Sequence, residues 1–138
     1  MLRALIADAD PHLRQLLYSS LLAVDVFSDC VGTVPDALDK LGDEPYGVVL
    51  VDIGLPGGKA EEIVACIARQ QRAVRPVVLV LATNPAAARS LDIDVVQIVL
   101  RKPISLRHTV DLIKSCVLRD AERIALAEGE ADSDQLRS

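Results

Sequence analysis

VVLVDIGLPGG, Val48 to Gly58, sets four branched apolar residues directly ahead of an acid and a turn rich in glycine and proline. An unbroken apolar run of strand length, rather than an alternating one, is how a strand buried on both faces reads, and such strands belong to parallel sheets. Four more runs of the same kind lie at Leu2 to Ala7, Val24 to Phe27, Val77 to Leu81 and Val95 to Leu100. Five strands are therefore predicted. Helical spacing fills the intervals: Pro11 to Leu22, Val34 to Leu41 with Thr33 as cap and Gly42 as stop, about Lys59 to Gln71, a short piece near Ala86 to Leu91, and a last helix capped by Ser105. Strand and helix alternating in this way predict a doubly wound α/β sheet with helices on both faces, because parallel neighbours need a crossover and right-handed crossovers cover both sides. Ligands of such sheets sit at the carboxyl ends of the strands.

The 138 residues are 51% hydrophobic and 25% charged, which fits one globular domain with an ordinary core. Fifteen basic against twenty acidic residues give a net charge of -5, so no overall field favours nucleic acid or anionic lipid as a partner. No apolar run reaches the roughly 18 residues a membrane span needs. Cys30, Cys66 and Cys116 are odd in number and widely spaced, without a metal-ligand pattern, and are expected as buried reduced thiols of a cytoplasmic protein.

Charged residues cluster at the predicted strand ends: Asp8 and Asp10 after the first, Asp52 closing the third, Lys102 after the fifth. An acid at the end of a buried strand costs several kcal/mol unless a cation or ionic partner compensates it, so Asp52 is expected to have a task. With LIADADP, LVDIGLPGG and RKP in this order and at these spacings, residues 1 to 118 resemble the receiver domain of two-component response regulators. The resemblance implies a flavodoxin-like sheet in order 2-1-3-4-5. It makes Asp52 the acceptor of a phosphoryl group from a histidine kinase or phosphotransfer protein, and Lys102 the contact to the phosphoryl oxygens. It also implies Mg²⁺ held by Asp52, the Gly54 backbone carbonyl and the acids after the first strand, Asp8 and, if it swings in, Asp10. Pro56 and Gly57 would shape the adjoining loop. A hard dication and an ammonium offset the repulsion of bringing a phosphoryl group to a carboxylate, which is the physical sense of such a set.

Three positions depart from the family pattern. Ala9 stands where a second acid normally ligates the cation, which leaves a formal site charge of -1 and predicts weak Mg²⁺ binding. The hydroxyl usually found at the end of strand four falls late, at Thr83, which reads either as a phosphate-sensing hydroxyl or as a helix-start residue. Val99 occupies the strand-five position of the usual mobile aromatic.

A receiver that signals through a downstream protein or output domain, without enzymatic turnover of its own, is the first reading. A degenerate receiver that docks a partner independently of phosphorylation is the second. Asp8-Ala9-Asp10 also resembles the D-x-D of haloacid-dehalogenase-type phosphatases, a reading that leaves the Asp52 turn unexplained. His12 and His108 are isolated and expected on the surface, and Arg69, Arg72 and Arg75 suit the end of the third helix. Residues 119–138 read as an extension of the last helix, to about Ala127, followed by an acidic, disordered tail. The overhang is a candidate surface for a homodimer.

Overall fold

The computed structural model describes residues 3–119. Its five strands are β1 (Arg3–Ala7), β2 (Ser28–Val31), β3 (Tyr46–Asp52), β4 (Val77–Ala82) and β5 (Val96–Arg101). They form one parallel sheet in order β2-β1-β3-β4-β5. The helices are α1 (Pro11–Leu22), α2 (Val34–Asp43), α3 (Ala60–Ala68) and α4, residues 106–119. α1 and α4 cover one face through Leu17, Leu21, Val110 and Ile113, while α2 and α3 cover the other through Val34, Ala37, Ile63 and Ile67. Because the two-residue period of a strand sends neighbours to opposite faces, Val48 and Leu50 face α1 and α4, and Val49 and Val51 face α2 and α3. With both faces covered, the four positions from Val48 to Val51 leave no room for a polar side chain, and that run is apolar throughout.

Two predicted elements differ. The run Val24 to Phe27 is not a strand; it ends α1. Asp25 takes a left-handed conformation at φ 64°, its N–H donates to Leu22 O, and the Val26 N–H donates to Leu21 O. This paired closure of a helix end leaves Val26 packed beside Leu21, so the apolar residues serve the cap and β2 starts at Ser28. The predicted helix near Ala86 to Leu91 is a single 3-10 turn, Pro85–Ala88. The Asn84 side chain accepts from the Ala86 N–H, and that of Asp92 from the Asp94 N–H. These local bonds close tight turns at each end of a segment too short to propagate a helix between them. Ala88, Leu91 and Val95 are buried instead on the α2/α3 side.

Thr33 caps α2, accepting from the Asp36 N–H at 3.3 Å, and the helix runs through Gly42 to Asp43. Ser105 accepts from the His108 N–H at the start of α4. Of the three free thiols only Cys116 is buried; Cys30 and Cys66 are half-buried, and burial raises the pKa of Cys30 and Cys116. The expected run of the last helix to Ala127 and the acidic tail lie outside the described residues. Among the described residues no helix is long and apolar enough to cross a membrane.

Candidate functional site

Strand parity assembles the site. Ala4 and Ile6 lie on the α1/α4 face, as do Val48 and Leu50, and two residues further along each strand stand Asp8 and Asp52. Ala7 and Val51 are register partners, so these acids leave neighbouring strands at the same level and on the same side. On β5 the parity is set by a register shift: Val78 pairs with Val96 but Leu79 pairs with Ile98, leaving Gln97 as an extra residue. That bulge turns Leu100, and with it Lys102, to the face of Asp52. The Lys102 N–H donates to Ala82 O at 2.9 Å, continuing the β4–β5 ladder past Arg101, and the Lys102–Pro103 peptide is cis.

The Lys102 ammonium lies 2.9 Å from Asp8 Oδ2 and 3.1 Å from Asp52 Oδ2. The contact to Asp52 is a hydrogen bond, whereas Asp8 Oδ2 is wholly buried and meets the ammonium without hydrogen-bond alignment. The other oxygens are held by backbone: Asp8 Oδ1 accepts from the Asp10 N–H at 2.8 Å, and Asp52 Oδ1 from the Gly54 N–H at 2.9 Å. Side-chain exposure is 1% for Asp8, 10% for Asp52 and 23% for Lys102, so Asp52 is the acid that solvent reaches. Burial works to lower the Lys102 pKa, but the two carboxylates outweigh it and hold the ammonium above its ordinary value.

The surrounding loops fix these side chains. Arg14 Nη1 donates to Asp8 O at 2.7 Å, and a Cβ at Gly32 would stand 2.8 Å from that same nitrogen, so Gly32 makes room for the guanidinium. After β3, the Leu55 N–H closes a turn on Asp52 O, and the Val34 N–H bonds Pro56 O, tying the loop to the start of α2. Gly57 has φ +86°, a conformation that favours glycine, and a Cβ there would stand 3.0 Å from Pro35 Cδ.

Thr83 follows the end of β4 and is exposed, on the same face as Leu79 and Leu81. It lines a cavity of about 450 Å³ with Lys102, Asp10, His12, Leu13, Leu16 and Ile104. Asp10 is the N-cap of α1, its Oδ1 accepting from the His12 N–H at 2.9 Å. His12 and His108 are exposed, and Arg75 donates to Ala68 O and Gln70 O at the end of α3. Val99 pairs with Val80 and is 37% exposed. Arg14 and Gln97 belong to no sequence motif of the site. The apolar parity of each strand, carried two residues past its end, is the signal that points to the Asp8, Asp52 and Lys102 face.

The donor set decides what cation the site suits. Asp8 and Asp52 are the acids that converge, the Ala9 position offers a methyl group, and all four carboxylate oxygens already face an N–H or the ammonium. Among the described residues no group of three or more His, Cys, Asp or Glu side chains is placed to hold a metal. As built, the set does not fit a resident dication.

No family model matches the chain. It is 28% identical over 123 residues to the response regulator protein PilR of Pseudomonas aeruginosa, across 87% of this chain and 27% of PilR. The chain thus spans about a quarter of the length of that curated relative. Among solved structures, a CheY-like response regulator receiver domain from Methylobacillus flagellatus superposes with a TM-score of 0.72 at 17% identity, covering 84% of this chain and 98% of the other. The response regulator TrrA from Thermotoga maritima, solved in complex with Mg²⁺ and BeF, gives 0.71 at 22% identity, covering 84% and 99%. The chain has the fold of CheY-like receiver domains, in the strand order that the resemblance implied.

Proposed function

We propose that this receiver-fold chain accepts a phosphoryl group on Asp52 from a histidine kinase or phosphotransfer protein and signals by binding a downstream protein or output domain. The observation that carries the reading is the Lys102 ammonium 3.1 Å from Asp52 Oδ2, at the carboxyl end of the central strand. An Asp52 oxygen attacks the phosphorus of the donor, the donor's P–N bond breaks, and the leaving imidazole keeps its electron pair and takes up a proton. Lys102 lowers the cost of bringing two anions together and can follow the phosphoryl oxygens. Thr83, exposed beside Lys102, is the hydroxyl within the same cavity. The apolar lining of that cavity, Leu13, Leu16 and Ile104, gives a donor protein a surface next to the acceptor.

Intact-mass spectrometry after incubation with a small phosphodonor tests this. One phosphoryl adduct is expected in the wild type and none in Asp52→Asn; an unlabelled wild type, or a labelled Asp52→Asn, overturns the assignment.

A second reading is favoured by the other half of the molecule. Only one 3-10 turn connects β4 to β5, Thr83 lies outside β4, and Val99 replaces the aromatic, so the parts that would report phosphorylation are reduced. A docking module predicts partner binding unchanged by phosphodonor and by Asp52→Asn. The phosphatase reading lacks an accessible nucleophile, since Asp8 is buried against Lys102 and Asp10 caps α1. Pairing of the last helix between two copies is proposed as well, with Leu118 exposed in the last described turn of α4.

A further inference from the structure

We propose that the Lys102 ammonium is the resident cation of this site and that Mg²⁺ competes with it rather than binding beside it. The inference rests on Asp52 as the working acid and concerns what neutralises it. Both Oδ2 atoms converge on Nζ, at 2.9 and 3.1 Å, and both Oδ1 atoms are taken by the backbone N–H groups of Asp10 and Gly54. A dication needs oxygens at about 2.0–2.1 Å with their lone pairs turned toward it. Here it would have to take those oxygens from the ammonium, and Ala9 supplies no replacement.

Charge leads to the same conclusion. Two carboxylates and one ammonium leave the site at -1, against which a dication of charge +2 overshoots; without the lysine the site is -2 and matches it. The buried Asp8 Oδ2, which meets the ammonium out of alignment, is the atom best placed to accept a cation once Lys102 is withdrawn. Lysine and dication therefore act as alternatives at one position. The charge of the site is thus lowered from within the chain and does not follow the Mg²⁺ concentration.

The test is a Mg²⁺ titration of the full chain, read by the amide resonances of Asp10 and Gly54 and by Tm. The wild type is expected to show no saturable shift at millimolar Mg²⁺. Lys102→Met is expected to show one, with Mg²⁺ affinity at least roughly tenfold tighter and a Tm that rises on adding the ion. Lys102→Gln removes the same charge and serves if Lys102→Met does not fold. A saturable wild-type response, or a folded Lys102→Met or Lys102→Gln indifferent to the ion, overturns the proposal. Labelling of Asp52 by a phosphodonor in excess chelator, measured on the same samples, reports on the acceptor reading separately.

Discussion

β3 and β5 each deliver a charged residue to the site, and they are built in opposite ways. Every residue of β3 is buried, with neighbours on both edges and helices on both faces, and Asp52 ends a strand that cannot shift without disturbing the whole core. β5 is an edge strand with a bulge at Gln97, a one-turn connection before it, and exposed Ile98 and Val99. Asp52 is positioned by packing. Lys102 is positioned by one backbone hydrogen bond to Ala82 and by the two carboxylates themselves. The acid is thus the fixed partner and the lysine the adjustable one.

The contrast is broken most directly by matched truncations. Leu50→Ala, in the middle of β3, should cost about 3 kcal/mol of unfolding free energy, because it removes buried methyl groups and leaves a cavity between α1, α4 and the sheet. Ile98→Ala, 39% exposed on β5, should cost less than about 1 kcal/mol. Urea unfolding of both variants gives the comparison, and equal costs would show that β5 is covered as fully as β3.

The same contrast governs what could be read from sequence. The runs at Val48 and Val77 were legible because burial on both faces leaves only one kind of residue to choose. The order of charges Asp8, Asp52 and Lys102 was legible because carboxylates at buried strand ends need an explanation. β2 was misplaced because the closure of α1 uses Asp25 rather than glycine in the left-handed position, so nothing punctuated the run Val24 to Phe27. The segment before β5 was misread because Pro85-Ala86-Ala87-Ala88 has helical composition, while side-chain bonds from Asn84 and Asp92 decide for turns. The face on which Lys102 emerges depends on the Gln97 bulge, and bulges arise from strand pairing rather than from local composition.

An intermediate effect sharpens the view of how the Asp52 end of β3 is held. Gly57→Ala places a side chain at φ +86° and 3.0 Å from Pro35 Cδ, and should cost about 1–2 kcal/mol. The Pro56 carbonyl accepts the Val34 N–H, so loosening this turn frees the start of α2 as well. Amide hydrogen exchange should quicken at Val34 while Leu79 and Val80 in β4 keep their protection. Uniform loss of protection would mean that the loop is not a separate element but part of the core's cooperative unit.

The smallest expected effect separates the two ends of the sheet by pH. Tyr46, at the start of β3, donates to Asp29 Oδ2 at 2.7 Å, and burial first, then that bond, raise the phenol pKa above its ordinary value. The folded state therefore resists ionising it, and stability falls as pH climbs above the unfolded phenol value of about 10. Lys102, at the end of β5, is raised as well. Its contribution is whole below the ordinary lysine value of about 10.4 and is lost as pH rises through its folded value. Both groups thus give a loss on the alkaline side. Tyr46→Phe should cost about 1 kcal/mol near neutrality for the missing hydrogen bond. Above about pH 10 it should lose less stability per unit pH than the wild type, so the two curves converge. Urea midpoints measured from neutral pH to about 11 decide this. Parallel curves would mean that Tyr46 carries none of the alkaline loss, leaving it to Lys102 and to the thiols Cys30 and Cys116, whose pKa values are also raised.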